Sequence, residues 1–136
     1  MTARVTPSGR LLLVEPQFVM RRTVSTMARQ MGLADVQEAT SPAQAGKLLH
    51  ERRFDGLLIA IDDEGEALEL VRRVRAGEAT HPADVPIAAT ATACDVELAL
   101  RLKQLDVCRL LLKPFKVRGM LEVISALGAP GSLSEH

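Results

Sequence analysis

Short apolar runs alternate along this chain with longer stretches in which apolar residues recur every three or four positions. LLLV at 11–14 is followed by Met20, Val24, Met27, Ala28 and Met31, a single helical stripe that Gly32 stops. A short strand is expected at Asp35–Ala39. Ser41 and Pro42 then supply an N-cap and a first-turn proline for a helix burying Ala45, Leu48 and Leu49. GLLIAI at 56–61 is continuously apolar and flanked by acids, the pattern of a strand covered on both faces. Ala67, Leu70, Val71 and Val74 mark a third helix, with Glu69, Arg72, Arg73 and Arg75 on its polar side. VPIAATA at 85–91 reads as a fourth strand. Asp95 caps a helix running to about Leu105, and Asp106 takes the left-handed turn that glycine usually fills. VCRLLLK at 107–113 is a fifth strand, and Pro114 leads to a last helix with Val117, Leu121 and Ile124 inward.

Five strands alternating with five helices predict an α/β chain, doubly wound, with a mostly parallel sheet covered on both faces. Pro7 and Gly9 in the leader, and the Gly-, Pro- and Ser-rich end of the chain, place one folded domain at 10–127 between a loose leader at 1–9 and a tail at 128–136.

Composition narrows the function. With 136 residues, 47% hydrophobic and 25% charged, the chain can bury a core without a disulfide or metal staple. Its 17 Lys plus Arg balance 17 Asp plus Glu, so it lacks the positive field that non-specific nucleic-acid or anionic-membrane binding uses. Aromatics are 2%, which removes base-stacking platforms. Cys94 and Cys108 belong to no CxxC or Cys/His cluster, so no zinc ligand set is present and a reduced, cytoplasmic chain is expected. No signal peptide, membrane span, Gly-rich phosphate loop or nucleophile elbow is found. His50 reads as a surface histidine and His81 as a loop histidine, with no triad around either.

In an open parallel sheet, sites form at the carboxyl ends of the strands. Those positions here are Glu15, Ala60 to Asp63, Ala91 with Thr92, and Lys113. Together with LLLVEPQFVMRR at 11–22, FDGLLIAI at 54–61, LELVRRVRA at 68–76, VPIAATAT at 85–92 and LLLKPF at 110–115, they give the chain over residues 10–126 a resemblance to the receiver domains of bacterial two-component response regulators, above all the stand-alone chemotaxis type. The resemblance implies a flavodoxin-like fold with strand order 2-1-3-4-5.

It also implies that the working groups of the family are largely missing. The family's magnesium-holding acidic pair falls on Glu15 and Pro16, its phosphorylated aspartate on Ala60, its switch hydroxyl on Ala91 and its switch aromatic on Leu110; Lys113 and Pro114 match outright, and Thr92 lies one place from the hydroxyl position. An alanine methyl offers no nucleophile to phosphorus, and one carboxylate of the usual three is a poor magnesium anchor. The reading is therefore a pseudo-receiver: no catalytic residue, no metal or cofactor, magnesium binding weak or absent, and a residual pocket of Glu15, Asp62, Ala91, Thr92 and Lys113 in which Lys113 pairs with Glu15.

Function then falls to the surface. Val96 to Leu105 carries more apolar residues than one core stripe needs. The reading is a non-enzymatic, phosphorylation-independent signalling module that binds a protein (a kinase, a regulator or its own twin) through the fourth helix, fifth strand and fifth helix, with Leu98, Leu102, Leu110, Lys116 and Arg118 as contacts and a homodimer through the same face as one form. Two alternatives stand beside it. In one, Asp62 or Asp63 is a displaced phosphoacceptor. In the other, a cyclic dinucleotide is held by Arg72, Arg73 and Arg75, or by Arg101 and Arg109. Nucleic-acid and membrane partners are not expected.

Overall fold

Every expected strand and helix forms, in the expected order. The computed structural model describes residues 9–32, 35–62 and 65–128. Almost all of the proposed leader and tail, and Asp63, lie outside the described residues. The elements are β1 (Arg10–Val14), α1 (Phe18–Gln30), β2 (Asp35–Ala39), α2 (Pro42–Glu51), β3 (Gly56–Ala60), α3 (Glu66–Arg75), β4 (Ile87–Ala91), α4 (Val96–Gln104), β5 (Arg109–Leu112) and α5 (Val117–Gly128). The strands form one parallel sheet in the order β2-β1-β3-β4-β5.

The period-2 geometry of the strands sorts the core into two layers. Leu12, Val14, Leu57, Ile59, Ile87, Ala89 and Ala91 face α2, α3 and α4, meeting Ala45, Leu49, Leu70, Val71, Val74 and Leu102. Leu11, Leu13, Leu58 and Ala88 face α1 and α5, meeting Val24, Ala28, Met120, Val123, Ile124 and Leu127. Because β1, β3 and β4 are covered on both sides, they read as near-continuous apolar runs rather than alternating, broken only by the exposed Arg10 at the start of β1 and by the buried Thr90 in β4.

Local chemistry sets the boundaries. The Ser41 hydroxyl accepts from the Gln44 amide at 3.1 Å with Pro42 opening α2, and the Asp95 carboxylate accepts from the Leu98 amide at 2.8 Å to start α4. Gly32 and Asp106 take positive φ of 67° and 57° after α1 and α4, as expected of them. Gly56 is required for another reason: a Cβ there would lie 2.7 Å from the Leu127 carbonyl oxygen, so α5 packs directly on the backbone of β3.

Burial differs from the sequence reading at Met31, Val117 and Leu102. Met31 is exposed because α1 ends at Gln30, one residue before it. Val117 is exposed at the first position of α5, whose inward stripe is Met120, Val123, Ile124 and Leu127. Leu102, expected on the partner surface, is 5% exposed and belongs to the core beneath α4.

Candidate functional site at the carboxyl ends of the strands

Glu15 immediately follows β1, Asp62 lies two residues beyond β3, Thr92 follows β4 and Lys113 follows β5. Parallel strands carry all four to one edge of the sheet. There the Lys113 ammonium donates to Glu15 Oε1 and to Asp62 Oδ2, each at 3.1 Å. The other oxygen of each carboxylate is also engaged. Glu15 Oε2 accepts from the Gln17 amide at 3.0 Å, and Asp62 Oδ1 accepts from the Thr92 amide at 2.7 Å and the Thr92 hydroxyl at 3.1 Å. Lys113 therefore meets Glu15 as expected and also meets Asp62, which the sequence reading placed nearby without pairing it to anything. The Lys113–Pro114 peptide bond is cis.

Burial grades this chain of charges from inside to outside. The Glu15 side chain is 6% exposed, that of Lys113 15% and that of Asp62 31%. Burial works against the charge on Asp62, but the Thr92 amide, the Lys113 ammonium and the Thr92 hydroxyl outweigh it and hold the carboxyl below the usual aspartate range. Lys113 shows the converse: burial pulls its pKa down, and hydrogen bonds and charge from Glu15 and Asp62 overcome that and raise it.

Ala60 takes no part in this network. Buried at the end of β3, it lines a cavity of only about 10 Å³ together with Glu15, Leu13, Met20, Leu58 and Phe115, on the α1 and α5 side, and its methyl offers no polar atom to the network. Ala91 is likewise buried. A hard cation such as magnesium wants several oxygen ligands in near-octahedral geometry. Among the described residues the donor set does not fit one: Pro16 has no carboxylate, Glu15 and Asp62 already face an ammonium, and no three His, Cys, Asp or Glu side chains group as a metal site.

Behind the pocket lies a support that sequence reasoning missed. Arg21, outside the apolar stripe of α1, is buried; its guanidinium donates to the Glu15 carbonyl at 3.0 Å, to the Pro16 carbonyl at 3.3 Å and to Glu38 Oε1 at 3.2 Å. Arg22 and Arg29 reach the same Glu38 carboxylate at 2.7 and 3.7 Å. Burial favours the protonated form of Glu38, yet the neighbouring Ser25 hydroxyl, the Arg22 charge, the Arg21 hydrogen bond and the Arg29 charge together outweigh it and its pKa is lowered. In one sequence such arginines have the spacing of a solvated helix face, and only the tertiary partner on β2 separates the two cases.

The other sequence candidates fall as follows. Leu98 and Leu110 are half-buried and pack against the core, whereas Lys116 and Arg118 are exposed. The large apolar residues that α4, β5 and the start of α5 turn to solvent are Val96 (76% exposed), Leu100 (56%), Leu112 (48%) and Val117 (56%). The excess of apolar residues in α4 is thus on the surface, but on Val96 and Leu100 rather than Leu102. Of the arginines considered for a dinucleotide, Arg75 is committed to four backbone carbonyls, those of Ala83, Val85, Leu105 and Asp106, and Arg72 to Glu69 and Glu78. Arg73, Arg101 and Arg109 are exposed. His50 is exposed with Nδ1 2.6 Å from the Thr80 hydroxyl. His81 is buried, stacks on Phe54 and accepts the Phe54 amide at Nε2 at 3.0 Å.

No protein-family model and no curated protein matches the sequence. Solved structures do match the fold. The chain is similar to the chemotaxis protein CheY4 of Vibrio cholerae, with a TM-score of 0.76 and 22% identity over 87% of this chain and 97% of that one. It is similar to a response regulator receiver protein from Pseudomonas putida, with a TM-score of 0.77 and 25% identity over 88% and 98%. It is also similar to a response regulator from Thermotoga maritima, with a TM-score of 0.75 and 21% identity over 90% and 98%. The likeness is one of architecture: five parallel strands in receiver order with five helices. Among the described residues no helix is long and apolar enough to cross a membrane.

Proposed function

We propose that the chain is a receiver-like module of a two-component pathway that signals by binding another protein and is not itself phosphorylated. The observation that carries this reading is the occupancy of the pocket. At the end of β3, where a receiver presents its acceptor, stands the Ala60 methyl, and the pocket's lysine is held by two carboxylates of the chain itself. No oxygen at position 60 attacks phosphorus, and among the described residues no free group of acids awaits a magnesium ion, so magnesium binding is weak or absent. On this reading the protein works in the cytoplasm, is not an enzyme, and presents the apolar residues of α4, β5 and α5, rimmed by Lys116 and Arg118, to a kinase, a regulator or a second copy.

The experiment is an intact mass spectrum after incubation with acetyl phosphate and magnesium. An unchanged mass is expected. A phosphoryl increment that disappears in Asp62→Asn would replace this reading with the second one, a displaced acceptor, which one observation favours: Asp62 is the most exposed acid of the pocket and already touches Lys113 and Thr92. Binding surfaces are tested separately. Leu100→Asp with Leu112→Asp keeps the fold and removes the apolar face, whereas Leu102→Asp puts a charge in the core and unfolds the domain.

A further inference from the structure

At the end of the molecule away from the pocket, two histidines hold down the segment between α3 and β4 through adjacent residues. His81, buried in that segment, accepts the Phe54 amide at Nε2 at 3.0 Å and stacks on the Phe54 ring, which ties it to the turn before β3. His50, near the end of α2, has Nδ1 2.6 Å from the Thr80 hydroxyl. Thr80 is β-branched and takes a positive φ of 52°, a backbone state such residues rarely adopt and that their surroundings have to enforce.

The two contacts make opposite demands on a proton. A backbone N–H only donates, so His81 Nε2 is bare and the proton of the neutral ring sits on Nδ1, 3.3 Å from the Pro82 carbonyl. The Thr80 hydroxyl donates to the Ala79 carbonyl at 2.6 Å, so toward His50 it accepts, and the His50 proton is on Nδ1. A second proton leaves the His50 bond intact. On His81 it sets N–H against N–H and places a cation in a site that is 6% exposed. We propose that His81 is an acid-released latch: protonation of Nε2 breaks its bond to the Phe54 amide and frees Gly77 to Pro82 from the turn before β3 while the sheet stays folded.

The surroundings confine the release to this segment. Among the described residues, burial above all and the Arg53 charge oppose an imidazolium, the Pro82 carbonyl, Asp55 and Asp84 favour it, and burial prevails, which keeps the closed ring neutral. From α2, His50 and Glu51 face the neighbouring groove. From α3, Arg75 stays charged and holds the Ala83 and Val85 carbonyls at 2.6 and 2.7 Å, so the approach to β4 is anchored independently of His81. At the other end Gly77, with φ of 78°, forms the turn out of α3. Between these anchors Glu78, Ala79 and Thr80 wall a groove of about 460 Å³ that also meets Gly46, Leu70 and Arg73 of α2 and α3. Release of the latch therefore opens this groove and exposes Ala79, which is buried in the closed form.

The test is an NMR pH series on the labelled full-length chain from about pH 7.5 to 5, which brackets the ordinary histidine value of about 6.5. At the upper end the ring nitrogen shifts of His81 place its proton on Nδ1. As pH falls, the Phe54 amide proton moves upfield with a midpoint below the ordinary histidine value, and the Gly77 to His81 amides move with it, while those of Leu12, Leu57 and Ile59 hold still. His81→Gln, whose side-chain oxygen accepts the same amide and does not titrate, loses this transition, and His50→Gln keeps it. A proton on Nε2 of His81 at the upper end overturns the proposal, as does a Phe54 amide that holds still while His81 titrates. So do segment amides that shift only together with the sheet, and a transition that survives in His81→Gln. If either variant does not fold, the wild-type ring nitrogens and Phe54 amide decide the question alone.

Discussion

Two half-buried cations hold opposite ends of this sheet, and they do so in different currencies. At the amino ends of β4 and β5, Arg75 donates only to main-chain carbonyls, at 2.6 to 3.1 Å, joining α3 to the segments before both strands. At the carboxyl ends, Lys113 donates only to carboxylates, those of Glu15 and Asp62. Burial lowers the Arg75 pKa, but a guanidinium remains charged, so this end does not switch. At the other end Asp62 and Lys113 carry shifted pKa values and change charge with pH, and the Asp62 side chain is partly exposed. The difference separates a structural staple from a candidate site: Arg75 meets only main-chain carbonyls, whereas Lys113 is shared by two carboxylates, one of which also accepts from an amide and a hydroxyl.

The largest expected effect of breaking this comparison is at the staple. Arg75→Ala leaves four carbonyls without their donor and lowers unfolding free energy by about 3 kcal/mol in urea titrations, and Arg75→Lys recovers only part of that because an ammonium lacks the fork. Lys113→Met comes next. It strands the buried Glu15 carboxylate and costs about 2 kcal/mol, below the roughly 3–5 kcal/mol of a fully buried pair because Asp62 stays wet.

Acid and base should sharpen the contrast further. His81 is held neutral, its pKa lowered by burial. Its contribution is complete above the unfolded histidine value of about 6.5 and declines as pH falls from there toward the lower folded value. His81→Gln should flatten that slope in pH-dependent melts. The Asp62 contribution is complete above about pH 3.9 and is lost as pH falls through the lower folded value. The Lys113 contribution is complete below about pH 10.4 and is lost as pH rises through the higher folded value. Lys113→Met should abolish the second and only reduce the first, because the Thr92 amide and hydroxyl still hold Asp62. The smallest stability change belongs to the outer face: Leu100→Asp with Leu112→Asp stays within about 0.5 kcal/mol per site, measured by thermal melts.

The ten elements were legible because burial imposes period 2 on strands and about 3.6 on helices, and caps such as Ser41 and Asp95 mark the starts. What misled was position at helix ends. Met31 and Val117 have the right spacing, but the helix ends or begins beside them and the stripe no longer faces the sheet. Leu102 and Leu100 illustrate the limit within a helix: both are apolar, and only packing against the sheet decides that Leu102 is core and Leu100 surface.

The site was legible as a set of strand ends and not as a network. Lys113 lies 98 residues from Glu15 and 51 from Asp62, and nothing local in the sequence pairs them. The absence of an acid at position 60 could be read from the sequence. Asp62 could be placed in the pocket, but its hold on Lys113 and Thr92 could not, because a loop acid looks the same whether its carboxylate meets water or three donors. Arg21 and Arg75 were hidden for the same reason, since their partners are carbonyls and a β2 glutamate that no helical periodicity records.

The account stands most directly on whether the wild-type pocket is already filled. Amide spectra of the labelled chain should be recorded with magnesium and then with beryllofluoride. The expected result is no saturable shift at Glu15, Asp62, Thr92 or Lys113. Saturable shifts clustered on those four residues would contradict it and identify a pocket that still accepts a phosphoryl group.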